Sequence, residues 1–197
     1  MSADAATLAV YASRAQDYAD LNADSQAGGS LDRFVGALPP GARVLDLGCG
    51  PGADAVAMRE AGLAVDAMDA SGEMVRLARR LHGLNVRCAG FETLDDVAAY
   101  DAVWASFSLL HAPKSDMPDL LMRIRRALRP SGLFGLGLKT GIGESRDSLG
   151  RFYAFYAINE LEQLLAAADF TVQDMRTGAS SGLDGTVAPW VRITARA

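Results

Sequence analysis

The residue types best suited to chemistry crowd into one short stretch, Val44-Leu45-Asp46-Leu47-Gly48-Cys49-Gly50-Pro51-Gly52, with Asp69 lying 69 − 50 = 19 positions beyond Gly50. Glycine permits positive φ and a close approach because no Cβ intervenes, so a ligand can be laid against the main chain there. Asp69 falls near the roughly 20-residue spacing of a ribose-binding acid, whose carboxylate accepts from both hydroxyls. Its other reading is a strand-end aspartate that caps the next helix. A G-x-G-x-x-G/A pattern fits Gly48, Gly50 and Ala53, so a dinucleotide is formally allowed. Two residues argue against it. Asp46 would set a carboxylate beside a pyrophosphate, and Pro51 lacks an N–H that an anion would take. An acid ahead of the glycines suits a cationic ligand better. A second group lies downstream: His111, then Lys139, Arg146, Arg151 and Tyr153. The cations could hold a carboxylate or phosphate through paired hydrogen bonds. In the bland reading, Glu144 and Asp147 neutralise them on a solvated loop.

The elements that must position these residues follow from periodicity. Val44 to Leu47 is an apolar run that reads as a buried strand, and Ala53 to Glu60 as the helix after the glycine turn. Ala64 to Asp69, Asn85 to Cys88, Tyr100 to Ala105 and Leu133 to Lys139 read as four further strands. Between them come helices at Glu73 to Leu81, capped by Ser71, and through Leu120, Leu121, Ile124 and Leu128. Pro130-Ser131-Gly132 is expected to stop the latter helix, while Arg125, Arg126 and Arg129 form its solvated, dipole-favoured end. Gly135 and Gly137 indicate close packing or a nearby ligand. Thr140 to Gly150 has loop composition. Asn159 and Glu162 suggest a capping box, and Phe170 to Met175 and Val191 to Ala195 suggest a terminal antiparallel hairpin joined by Gly178 to Gly185. At the N-terminus, Leu8, Tyr11, Ala15 and Tyr18 fall on one face of a helix from Ala5 to Leu21, with Arg14 beside it. Asn22 to Ser30 reads as a hinge or loop, and Leu31 to Leu38 as a second helix.

The chain has 197 residues, a net charge of −5 and two cysteines, Cys49 and Cys88. That length suits a single domain. The acidic balance speaks against nucleic acid or an anionic membrane as partner. Without a C-x-x-C pair, neither a disulfide framework nor a metal site is expected. No signal peptide or long apolar run is evident, so a cytoplasmic protein is expected.

VLDLGCGPG resembles the first motif of the class I S-adenosylmethionine-dependent methyltransferases, and the similarity runs from about Tyr11 to Arg196. The cofactor of that family carries an ammonium and a sulfonium and no phosphate, in keeping with Asp46. The resemblance implies a cofactor site of Tyr11, Arg14, Tyr18, Asp46, Gly48, Cys49, Gly50, Asp69, Ala70, Phe91, Glu92 and Ser106. Tyr11-x-x-x-Ala15-x-x-Tyr18 is similar to an N-terminal segment that closes over the cofactor. Phe91 stands where the family more usually has an acid at the adenine edge, leaving Glu92 as the nearest carboxylate. Ser106 to Pro113 resembles the family's "L-x-H" stretch under the transferring methyl. There His111 is a packing residue, a substrate contact or a base. Pro130-Ser131-Gly132 is similar to the family's "L-x-P-G-G" turn with serine in place of the first glycine.

The expected fold is α/β, a doubly wound, mostly parallel sheet with a C-terminal antiparallel hairpin. It forms one domain, with residues 1–38 as a helical cap on a 41–197 core. The expected activity is methyl transfer from S-adenosylmethionine to a small-molecule acceptor held by Lys139, Arg146, Arg151 and Tyr153, in a monomer or weak homodimer. The nucleobase-methylating enzymes' Asn/Asp-Pro-Pro-aromatic motif is replaced by Ala105-Ser106-Phe107-Ser108. The competing readings are an inactive cofactor-binding regulator and a nicotinamide oxidoreductase.

Overall fold

The computed structural model describes residues 4–23 and 29–197. One seven-stranded sheet organises them, in the order β3-β2-β1-β4-β5-β9-β8. Its strands are β1 (Arg43–Leu47), β2 (Ala64–Asp69), β3 (Val86–Cys88), β4 (Tyr100–Ser106), β5 (Leu128–Lys139), β8 (Thr171–Ser181) and β9 (Val187–Arg196). The first five pair in parallel, and β9 joins β5 and β8 antiparallel. This is the doubly wound sheet with terminal hairpin that the sequence pattern predicts. Strand order reverses between β1 and β4, so the loops leaving those strands diverge and open a crevice at their carboxyl ends.

Strand alternation divides the core between two faces. Val44, Ala102, Trp104 and Leu133 pack with Phe34 of α3 (Ser30–Gly36) and Met58 of α4 (Ala53–Glu60). Leu45, Leu47, Val103 and Phe134 face Leu121 and Ile124 of α6 (Met117–Ala127) and Leu161 and Leu165 of α7 (Ile158–Ala167). Each fully buried large side chain contributes roughly 1.5–3 kcal/mol. The alternation thus anchors helices on both sides and fixes β1 at the centre. Gly135 is a packing glycine: a Cβ there would collide with the Trp104 ring.

Several local expectations change, and the connection expected from Gly178 to Gly185 narrows to residues 182–186 because β8 runs through Ser181 and β9 begins at Val187. The N-terminal stretch is two helices, α1 (Ala5–Ser13) and α2 (Ala15–Ala23), broken at Arg14. The loop expected from Asn22 to Ser30 shrinks, because α2 reaches Ala23 and α3 begins at Ser30; residues 24–28 lie outside the described residues. Helix α6 ends at Ala127, ahead of Pro130. Residues 129–132 are then carried as a bulge in β5, since Tyr100 pairs with Leu128 and Ala102 with Leu133. Ala157, without a side-chain bond, caps α7. Asn159 lies inside its first turn, too late to cap. The expected 140–150 loop also holds β6 (Glu144–Arg146), which pairs with β7 (Phe152–Ala154) as a separate antiparallel ribbon. The remaining helix, α5 (Gly72–His82), takes its cap from Ser71, whose Oγ accepts from the Met74 N–H.

Candidate active site

A cavity of about 940 Å³ occupies the crevice at the carboxyl ends of β1 and β4, at the upper end of the range for small-molecule sites. Its floor is the glycine turn. Gly48 has φ +80°, and a Cβ on it would overlap Ser108; Gly50 has φ +53° and lies under the Tyr18 ring. The N–H groups of Gly48 and Cys49 both donate to the Met68 carbonyl, at 2.8 and 3.0 Å, which ties the turn to the end of β2.

Three carboxylates converge on this turn. Asp46 is 2 % exposed, and its Oδ2 has no hydrogen-bond partner. Burial, then the charges of Asp54 and Asp69, push its pKa well above the usual carboxylate range, against a bond from the Ala55 N–H. Asp69 accepts the Gly50 N–H on Oδ2 and the Ser71 N–H on Oδ1, both at 2.8 Å; burial still raises its pKa. Asp69 thus ties the glycine turn to the main chain just ahead of α5, whose cap is Ser71. Each of its oxygens nevertheless keeps acceptor capacity for a hydroxyl. Asp54 is raised chiefly by burial and is held by the Trp104 indole N–H at 2.7 Å. A cation entering here would relieve all three acids and give the orphaned Asp46 oxygen a partner. The residues therefore fit a ligand with an ammonium and a ribose.

The N-terminal helices close one side through a hydrogen-bond relay. Arg151 Nη1 donates to the Tyr11 hydroxyl at 3.1 Å, and that hydroxyl lies 2.8 Å from His111 Nε2. His111 Nδ1 lies 2.7 Å from the Phe152 carbonyl, which can only accept. Nδ1 therefore carries the proton, and Nε2 accepts from Tyr11. Burial lowers the His111 pKa to about 4, so the ring is neutral at physiological pH with both nitrogens engaged. Asp147 anchors the other end, accepting from Arg151 Nε at 2.8 Å. Thr7 Oγ1 accepts the Phe152 N–H at 2.8 Å, and Arg146 forks onto Asp4 at 2.8 and 2.9 Å. Helix α1 is thus fastened to the β6–β7 ribbon.

The sequence-predicted residues separate clearly. Tyr11, Tyr18, Asp46, Gly48, Cys49, Gly50, Asp69, Ala70, Phe91, Glu92, Ser106 and His111 all line the cavity, as do Lys139, Arg146, Arg151 and Tyr153. Arg14 does not. The helix breaks at this residue, and its exposed side chain pairs with Asp17 at 2.9 Å. Arg146 and Arg151 reach the cavity already neutralised, by Asp4 and Asp147. Arg151 is no solvated loop residue, at 1 % exposure. Sequence reasoning missed the wall formed by the β8–β9 hairpin, where Ser180, Gly182, Trp190 and Arg192 line the cavity. The available signal was the alternation Trp190, Arg192, Thr194 opposite a strand already read as ending at the site. Among the described residues, no helix is long and apolar enough to cross a membrane.

Comparison with known proteins agrees with this geometry. A family model described as a methyltransferase domain matches residues 44–132. The malonyl-[acyl-carrier protein] O-methyltransferase of Enterobacter lignolyticus is 32 % identical over 163 residues, covering 81 % of this chain and 61 % of that protein. The ubiquinone biosynthesis O-methyltransferase of Xanthomonas oryzae pv. oryzae is 37 % identical over 100 residues, 47 % of this chain and 41 % of that one. The chain thus spans less than two thirds of the length of these curated relatives. A solved 1,6-didemethyltoxoflavin-N1-methyltransferase from Burkholderia thailandensis, with bound 1,6-didemethyltoxoflavin and S-adenosylhomocysteine, superposes with a TM-score of 0.78 at 28 % identity. That match covers 98 % of this chain and 87 % of the other.

Proposed function

The chain belongs to the class I S-adenosylmethionine-dependent methyltransferase family, and on that premise we propose that it methylates a small organic acceptor. The observation that carries this reading is the unpartnered Asp46 oxygen in a cavity large enough for two small molecules. In the proposed complex Asp46 receives the cofactor's ammonium, directly or through the turn it supports. Asp69 accepts the ribose hydroxyls, and Phe91 and Glu92 border the adenine. Ala70, Cys49, Gly50 and Ser106 complete the enclosure. Of the expected 1–38 cap, helices α1 and α2 act as a cap on the core, with Tyr11 and Tyr18 as its inner face, while α3 packs into the sheet core through Leu31 and Phe34.

When bound, the cofactor supplies an electrophilic methyl group on a sulfonium. The protein then has to align an acceptor with it and exclude water. Proximity and orientation account for about 7–11 kcal/mol of barrier lowering in favourable cases. Tyr11, held from both sides by Arg151 and His111, presents a fixed wall for that alignment. We assign His111 to positioning Tyr11, since its Nε2 lone pair is occupied and its pKa is about 4. A hydroxyl, amine or carboxylate acceptor is compatible with this arrangement, and relatives named as O- and N-methyltransferases support that range.

Calorimetry with S-adenosylhomocysteine and with NAD tests the cofactor. The expected result is saturable binding of the first alone. Labelled-methyl transfer into a metabolite extract tests catalysis. Binding without transfer into any metabolite would favour a regulatory role over the enzymatic one.

A further inference from the structure

Two cations on the acceptor side of the cavity form no ion pair among the described residues. Arg146 is engaged by Asp4 and the Gly150 carbonyl, and Arg151 by Asp147 and Tyr11. Lys139 and Arg192 have no such carboxylate. The Arg192 guanidinium stands 4.9 Å from the Phe107 ring centroid and 5.8 Å from that of Trp190, with Nη1 buried and without a hydrogen-bond partner. The Lys139 ammonium stands 4.1 Å from the Tyr153 ring centroid. The antiparallel register sets Lys139 opposite Trp190 and Gly137 opposite Arg192, so the two cations share one face of the sheet and turn toward one space. Gly137 has a reason to be glycine here: a Cβ would crowd the Phe107 N–H at 3.2 Å, with the ring in ordinary contact at 3.5 Å. Phe107 itself is held at φ +54°, a conformation that non-glycine residues rarely adopt and that fixes its ring beside the guanidinium.

A buried donor left unmet is costly, and a guanidinium more so than a neutral group. We propose that Arg192 and Lys139 form the anion-binding subsite for the methyl acceptor, and that the acceptor is an aryl carboxylate. Its carboxylate lies between the two cations, and its ring lies among Phe107, Tyr153 and Trp190. A single negative charge matches better than a phosphate dianion, because Asp54 acts on Arg192, and Asp184 and Asp147 act on Lys139 against the further cation Arg151, so that part of the positive potential is already offset. This inference rests on the methyltransferase reading. It also moves the anion contact from the loop arginines to the hairpin.

The test uses the full chain saturated with S-adenosylhomocysteine and three probes: 4-hydroxybenzoate, 4-hydroxybenzamide and phenyl phosphate. Binding is followed by calorimetry and by tryptophan emission. The acid should bind at least tenfold more tightly than the amide. Arg192→Met and, separately, Lys139→Met should each reduce that preference severalfold, with S-adenosylhomocysteine affinity unchanged. Arg192→Lys should retain part of it. Equal binding of acid and amide, no saturable binding of the acid, or a preference that survives both Met substitutions would overturn the subsite. Tighter binding of phenyl phosphate would overturn the carboxylate assignment. Failure of the wild-type chain to bind S-adenosylhomocysteine would remove the methyltransferase reading and this inference with it.

Discussion

Arg151→Met distinguishes a structural guanidinium from a substrate-binding one. Asp147 accepts from Arg151 Nε at 2.8 Å and from the backbone N–H groups of Arg151 and Leu149 at 2.9 and 3.1 Å. Arg151 is 1 % exposed, and the Asp147 side chain 9 %. Removing the guanidinium leaves a buried carboxylate without a counter-charge and takes a donor from the Tyr11 hydroxyl. Breaking such a pair costs about 3–5 kcal/mol. The two backbone bonds left to Asp147 point to the lower end, roughly 3 kcal/mol. That is a large part of the 5–15 kcal/mol expected for a whole domain. The assay is urea unfolding at neutral pH. The midpoint should fall with little change in slope, and adding Asp147→Asn, whose Oδ1 keeps both backbone bonds, should recover about 1 kcal/mol or more by removing the unpaired charge. A loss below about 1 kcal/mol for the single variant would refute the reasoning, as would strict additivity in the double variant. It would return Arg151 to the role expected from sequence, a cation free for substrate.

The other predictions concern the cofactor half and the cap. Asp69→Ala should weaken S-adenosylhomocysteine binding by about 1.5–3 kcal/mol for each ribose hydrogen bond lost, read by calorimetry; unchanged affinity would sink the ribose assignment. Deleting residues 1–21 should weaken the same binding while far-UV circular dichroism still reports a folded sheet. A truncated chain that binds normally would make α1 and α2 mere packing. For His111, the unfolded ring takes up a proton near pH 6.5, whereas the folded ring resists until about pH 4. Wild type should therefore lose stability relative to His111→Gln as pH falls from 6.5 to 4, by up to about 3 kcal/mol, and keep it in full above 6.5. A difference that stays flat across that window would mean the ring is not desolvated.

The central strands were legible in the sequence because they are buried on both faces and read as apolar runs. Val44 to Leu47 and Ala102 to Ala105 needed no tertiary information, whereas Ala64 to Asp69, half-buried and carrying two aspartates, was read from its place after the glycine turn. The cofactor half was legible for a similar reason: Asp46, the glycines and Asp69 lie on consecutive elements of one β-α-β unit, so spacing stands in for distance. The acceptor half was not. Whether Arg151 is free depends on Asp147 and on Tyr11, which is 140 positions away. Arg146 is likewise answered by Asp4, 142 positions away. No local pattern reports such pairings. The break at Arg14 was invisible because Tyr11 and Tyr18, seven positions apart, share one face of a single helix as well; the turn between the two short helices is what brings their ring centroids to 5.2 Å.

The division of charge in the cavity follows from the topology. Strands β1 and β2 deliver Asp46 and Asp69 at their carboxyl ends, and α4 brings Asp54 from the turn between them. On the other side of β4, the last strand runs antiparallel, so β9 enters the sheet at the edge where the parallel strands end. Its first residues, including Trp190 and Arg192, therefore lie beside the end of β5 at Lys139, and the 182–186 turn overhangs the cavity. A sheet that ended with another parallel strand would present that strand's carboxyl end here and send its opening residues to the far edge. The antiparallel hairpin thus supplies the basic wall opposite the acidic one. A cationic cofactor and an anionic acceptor could each meet a side of opposite charge, with their reacting atoms brought together at the boundary near Ser106 and Tyr11.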